Sequence, residues 1–190
     1  MSKPDRLMAL DLPEPAQIPD ELKPVYDKAV ERLGFVPNVL RGYAHSPDRL
    51  RNFLNTRDTL MAGESGLSVL EREMIAVVVS TLNRCYYCLT SHSATVRKLS
   101  GDALLGDLLV MNFRAGELPA RQRAMLEFAK KLTEQPQEIV EADRQGLRDA
   151  GFGEKDIWDI IEVTAFFNMT NRLAAGTDMV PNPEYHRIGR

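Results

Sequence analysis

The nine residues MIAVVVSTL at positions 74–82 constrain the fold more than any other part of this chain. Wound as a helix, the segment is apolar nearly all round, so it has no face to give to water and belongs at the centre of a bundle. The valine run at 77–79 would also suit a strand. The lead-in decides for a helix: Ser68 and Glu71 stand in capping-box register, and the charged first turn, which includes Glu73, continues directly into the apolar run.

A central helix needs others around it, and the rest of the sequence supplies them. Asp20 is the expected cap of a first helix that takes Pro24 in its opening turn and ends at Gly34. FVPNVLRGYAH then reads as an irregular or short helical link. Ser46 followed by Pro47 opens a helix whose apolar face is Leu50, Phe53, Leu54, Leu60 and Met61, and which stops at Gly63. Further helices are expected at 84–99 with Asn83 as the cap, from Asp102 to Met111, from Pro119 to Thr133, from about Gln137 to Ala150 and from about Lys155 to Ala175. No alternating pattern competes elsewhere. The expectation is therefore an all-α fold, a single-domain bundle of about eight helices over residues 20–180, with a proline-rich extended segment at 1–19 and a tail at 181–190. The pentapeptides TLNRC and MTNRL, each after a long apolar helix, form a faint internal echo that tandem helical hairpins would explain.

With 44% hydrophobic residues in 190, the chain can bury a substantial core without staples. Its 24 basic and 27 acidic side chains are mixed along the sequence and the net charge is only −3, so neither nucleic acid nor an anionic membrane is an expected partner. The N-terminus has no signal-like apolar core and no run is long enough to cross a bilayer, which makes a cytoplasmic location the expectation. In a reducing compartment two close cysteines point to catalytic, redox or metal-binding use rather than to a fixed disulfide.

Those cysteines are the only two in the chain, and both lie in NRCYYCLTSH. On a helix Cys85, Cys88 and His92 share one face. A thiol at a helix N-terminus is stabilised as thiolate by the helix dipole, the C-x-x-C spacing lets two sulfurs close a disulfide, and His92 is placed to take the Cys88 proton. Taken alone, the same residues also fit two packed thiols beside a surface histidine, or three of the four ligands that structural zinc prefers, His45 and His186 being distant and unpaired in sequence.

The pattern Glu73, Cys85, Cys88, His92, or E-x11-C-x-x-C-x3-H between two apolar helices, resembles the signature of the alkylhydroperoxidase D-like proteins of the carboxymuconolactone decarboxylase superfamily. FVPNVLRGYAHSP and FFNMTNRLAAGTDMVPNPEYH extend the resemblance to that superfamily's peroxidase-related branch. The resemblance implies a cofactor-free, metal-free thiol peroxidase acting on hydrogen peroxide or organic hydroperoxides, in which Cys88 attacks the peroxide, Cys85 resolves the sulfenic acid, and Glu73 with His92 relays protons. It further implies an external dithiol reductant, a protein or a lipoyl-type adaptor, and assembly as a homotrimer or homohexamer. A carboxymuconolactone decarboxylase-like enzyme and a zinc-binding or redox-sensing module are the competing readings. One departure is visible: relatives can carry a histidine between the cysteines, where this chain has Tyr86 and Tyr87, residues suited to packing or to lining a pocket.

Overall fold

The structure, a computed structural model, describes residues 6–11 and 19–190. Among these residues the fold is all-α, with nine α-helices where about eight were expected: α1 (Lys23–Leu33), α2 (Asn38–Gly42), α3 (Pro47–Ala62), α4 (Val69–Leu82), α5 (Tyr86–Ser100), α6 (Ala103–Asn112), α7 (Ala120–Glu134), α8 (Glu141–Asp149) and α9 (Glu154–Gly176). The additional helix, α2, is the central part of the FVPNVLRGYAH link.

Helix α4 is the axis of the bundle, as its composition requires. Every residue from Glu71 to Ser80 is buried, and α5, α6, α7 and α9 pack around it. Met74, Ile75, Val77 and Val79 have no exposed surface, and burying each such side chain contributes about 1.5–3 kcal/mol. The capping box forms as expected: Glu71 N–H donates to Ser68 Oγ at 3.1 Å, and Ser68 N–H donates to Glu71 Oε2 at 2.9 Å. Buried Arg72 then ties the end of α3 to α4 by donating to the carbonyls of Leu60, Gly63 and Leu67.

Three local expectations are corrected. Asp20 does not cap a helix with its side chain; it lies in a 3-10 turn, Asp20–Leu22, and pairs with Lys23, so that α1 begins at Lys23. The helix expected from Gln137 to Ala150 is divided: Pro136–Glu138 make a single 3-10 turn and α8 starts at Glu141, because Asp143 reaches back to accept the Val140 N–H at 2.8 Å and sets the boundary there. The cap of α5 is Cys85, not Asn83.

Of the lead-in at 1–19, residues 1–5 and 12–18 lie outside the described residues. Residues 6–9 run alongside 177–180, with Ala9 N–H donating to Thr177 O and Val180 N–H to Leu7 O, both at 2.8 Å. Residues 181–190 fold back onto α5. Arg97, itself buried, donates to the carbonyls of Tyr185 and Ile188 at 2.9 Å, while Tyr185 stacks edge-on against Phe35. No described helix is long and apolar enough to cross a membrane.

Candidate active site

The turn between α4 and α5 sets the geometry of the two sulfurs. Helix α4 ends with Asn83 as its C-cap; Arg84 adopts φ +53°, Arg84 N–H donates to Thr81 O at 3.0 Å and Cys85 N–H to Ser80 O at 2.9 Å. This is a Schellman closure with arginine where glycine is usual, and the left-handed residue costs about 1–2 kcal/mol. The closure leaves Cys85 as both the last residue bonded to α4 and the cap of α5. Its Sγ accepts the Cys88 N–H at 3.4 Å. Asn83, displaced from the capping role, donates from Nδ2 to Asn168 Oδ1 and Asn171 Oδ1, both at 3.0 Å.

Both thiols are free and almost sealed, with 3% of Cys85 and 4% of Cys88 exposed. Their protons are unequally held. Cys85 is lowered from 9.0 to about 7, chiefly by the hydrogen bond from the Cys88 thiol, with the Cys88 and Tyr87 amides and the His92 charge adding to it against the cost of burial. Cys88 is pushed far up by giving that same hydrogen bond, by burial and by the negative charge on Cys85; the Ser80 and Asn171 side chains oppose the rise. Of the two thiols, Cys85 is therefore the readier to ionise.

The carboxylate and imidazole singled out in the sequence meet across the α4–α5 hairpin. His92 Nδ1 lies 2.6 Å from Glu73 Oε2, the Glu73 side chain is largely buried, and the imidazole edge packs on Phe167. Donation from Nδ1–H to the carboxylate leaves Nε2 as the proton-accepting nitrogen. Glu73 thus faces inward, and its position early in α4 is not that of a solvated first-turn charge.

The two tyrosines between the cysteines part company. Tyr87 is buried and its hydroxyl accepts the Val39 N–H at 3.1 Å, anchoring the first turn of α5 to α2. Tyr86 is exposed and its hydroxyl lies 3.3 Å from His186 Nε2. His45 is exposed at the end of the α2 turn. Among the described residues no three His, Cys, Asp or Glu side chains are grouped as a metal site. Four residues around the dithiol went unread in the sequence. Met8 and Met179 share one buried cluster with the two cysteines, and buried Asn171 donates from Nδ2 to Ser80 Oγ at 2.9 Å. The only sequence signal for any of them was the Asn-Arg echo, whose two asparagines, Asn83 and Asn171, bond each other.

An all-helical bundle carrying a helix-capping C-x-x-C pair backed by a glutamate–histidine pair defines a class, and similarity to known proteins gives it a family. Residues 47–104 match the carboxymuconolactone decarboxylase family. The whole chain is similar to an uncharacterised peroxidase-related protein from Silicibacter sp. TM1040, with 55% identity over 100% of both chains and a TM-score of 0.96. It is also similar to a peroxidase-related protein with an alkylhydroperoxidase AhpD core from Ralstonia eutropha JMP134, with 40% identity over 97% of each chain and a TM-score of 0.93. The debrominase Bmp8, crystallised with 2,3,4-tribromopyrrole, shares the fold at 19% identity over 96% of this chain and 94% of its own, with a TM-score of 0.78. No curated protein matches significantly. The chain belongs to the carboxymuconolactone decarboxylase superfamily, in its alkylhydroperoxidase D-like, peroxidase-related branch.

Proposed function

We propose that this protein is a thiol-dependent peroxidase that reduces hydrogen peroxide or organic hydroperoxides through a Cys85/Cys88 dithiol–disulfide cycle. The observation that carries this reading is the dithiol at the head of α5, with Cys85 Sγ accepting the Cys88 N–H and the Glu73–His92 pair one turn beyond Cys88. His92 takes the Cys88 proton. A thiolate with so high a proton affinity is the stronger nucleophile of the two once formed, because nucleophilicity rises with pKa. Its sulfur attacks one peroxide oxygen, the O–O bond breaks, and the departing alkoxide or hydroxide takes the proton back from His92 and leaves as alcohol or water. Cys88 is then a sulfenic acid.

Cys85 needs no base for the second step. With its pKa lowered to about 7 it is readily available as thiolate, and it attacks the Cys88 sulfenic sulfur; the S–S bond forms as the S–O bond breaks, and the departing hydroxide takes a proton from solvent to leave as water. An external dithiol, on a protein or a lipoyl-type adaptor, returns two electrons by thiol–disulfide exchange. Homotrimeric or homohexameric assembly belongs to the same proposal: α6 and α9 leave Leu104, Met111, Trp158 and Met169 more than half exposed, and a subunit contact would cover them.

The test is to treat the reduced, metal-free protein with hydrogen peroxide and with cumene hydroperoxide and to count the thiols lost. Loss of both thiols per peroxide consumed, reversed by a dithiol, supports the cycle. Thiols that survive a peroxide excess, or that are protected by stoichiometric zinc, reject it.

A further inference from the structure

Tyr86, Ser93 and Arg97 follow one another at helical spacing on α5 and line the side away from Cys88 and His92. They form one wall of a cavity of about 200 Å³, which Asp107 of α6 and His186 and Arg190 of the C-terminal segment complete. Arg97 is the unusual member, a guanidinium residue only 4% exposed. Its Nε and Nη2 donate to the carbonyls of Ile188 and Tyr185 at 2.9 Å, and its Nη1 donates to Ser93 Oγ at 3.3 Å. All three acceptors are uncharged. A guanidinium has five N–H groups, so one is left on each terminal nitrogen, and among the described residues no carboxylate pairs with the charge. Arg72, the other buried arginine, makes four bonds to the carbonyls of Leu60, Gly63 and Leu67 and lies outside this wall. The walls hold Arg97 tightly. A Cβ at Gly106 would lie 2.7 Å from Arg97 Cγ, and one at Gly189, where φ is +69°, would lie 2.7 Å from Arg97 Cβ.

We propose that this cavity binds a small organic carboxylate, held by Arg97 and Arg190 with its apolar body against Leu89 and Val110. Charge selects an anion. The wall carboxylate, Asp107, is taken by Arg190 at 2.8 Å, so two guanidiniums and one carboxylate leave one positive charge in excess. Burying such a charge without a counter-ion is costly, and an anion between the two guanidiniums offsets that cost. The free N–H groups of Arg97 suit a carboxylate, whose two oxygens accept from a guanidinium fork. Shape and lining choose the rest of the ligand. Leu89 and Val110 add an apolar strip to the wall, which a bare inorganic oxyanion would leave unused. At about 200 Å³ the cavity is smaller than the roughly 300–1,000 Å³ of sites for drug-sized molecules, so the body is small. Tyr86 and His186, both exposed and 3.3 Å apart at their polar atoms, stand at the cavity's solvent side. The site is separate from the dithiol, because the α5 side chains that line it point away from Cys88 and His92.

The experiment titrates the full, reduced chain with benzoate in a calorimeter at low ionic strength, with benzamide, its uncharged counterpart, and inorganic phosphate as the comparisons. Benzoate should bind one per chain, and benzamide and phosphate should not. Arg97 also anchors the C-terminal segment, so the substitutions are made at its neighbours. The Arg190 side chain is half exposed, and Arg190→Gln should weaken benzoate about tenfold by removing a charged donor and leaving Asp107 unopposed. Asp107→Asn should tighten benzoate about threefold or more, because it removes the competing carboxylate and frees Arg190 for the ligand. Circular dichroism checks that both variants are folded, and either alone decides the matter if the other is not. Absence of benzoate binding at millimolar concentrations, equal binding of benzamide, or an affinity that a folded variant leaves unchanged overturns the site. Phosphate bound in place of benzoate overturns the carboxylate assignment. Neither thiol takes part in the titration, so failure of the peroxidase reading and failure of this site are distinguished.

Discussion

Replacing Cys88 with alanine removes the hydrogen bond that does most to acidify Cys85, and the consequence can be worked through. In the intact dithiol Cys85 titrates at about 7 rather than 9.0. If the whole difference were lost, the thiolate fraction at pH 7 would fall from about one half to about one hundredth, a factor of about fifty. Nucleophilicity partly offsets this: with a Brønsted coefficient of about 0.4–0.5, a thiolate two pKa units more basic is about six to ten times more reactive. Net alkylation at pH 7 should therefore slow by about five- to eightfold, while the rate at high pH rises. The N–H of residue 88 survives the substitution, so these figures bound the effect. The ultraviolet absorbance of the thiolate read against pH gives the midpoint directly, and iodoacetamide gives the rate. The sign is fixed by a depressed acid: the Cys85 thiolate of the native protein is lost as pH falls through about 7, whereas in Cys88→Ala the loss begins at higher pH. A midpoint that stays near 7 would assign the acidity to the helix cap alone. The same protein tests the division of labour. Cys88→Ala should not consume peroxide, and Cys85→Ser should consume about one equivalent and yield a trappable sulfenic acid on Cys88. Sulfenic acid trapped on Cys85 in Cys88→Ala would refute the order of attack proposed here.

Glu73→Gln and His92→Gln should each lower the rate of peroxide reduction by about ten- to a hundredfold, and the double variant should be no worse than the poorer single one, because the pair acts as a unit; additive losses in a stopped-flow measurement would separate them. Met8→Gly removes a side chain of the buried cluster that contains both cysteines. It should raise the iodoacetamide rate several-fold without moving the pH midpoint, and an unchanged rate would mean that reagents reach the sulfurs by another route. Light scattering should give a mass of three or six times the 21.4 kDa chain in both redox states, and a monomer at low micromolar concentration would remove the case for subunit contacts on α6 and α9.

Where a structural choice depends on neighbours in sequence, it was legible; where it depends on what a turn brings together, it was not. Ser68, Glu71 and the apolar run after them place α4 at the centre by local chemistry alone. The Glu73–His92 pair was read only through the resemblance carried by the E-x11-C-x-x-C-x3-H pattern, because a carboxylate in the first turns of a helix, taken alone, reads as a solvated charge; the α4–α5 hairpin brings the two side chains together. The cap of α5 was misplaced because Asn83 and Cys85 can both cap, and the choice rests on whether α4 closes with Arg84 in a left-handed conformation, which no pattern announces in a residue other than glycine or asparagine. Met8 and Met179 come from segments far apart in the chain, and nothing local marks them as members of the cysteines' cluster. The misplaced cap is also the chemically decisive detail. With Asn83 capping, an amide oxygen would have taken the free N–H groups and both cysteines would have lain inside the first turns, with no sulfur at the cap. With Cys85 capping, a sulfur occupies the acceptor position and Asn83 is released to bond Asn168 and Asn171 on α9. The strained Arg84 closure therefore decides that a sulfur, rather than an amide oxygen, stands at the head of α5 and meets the free N–H of residue 88.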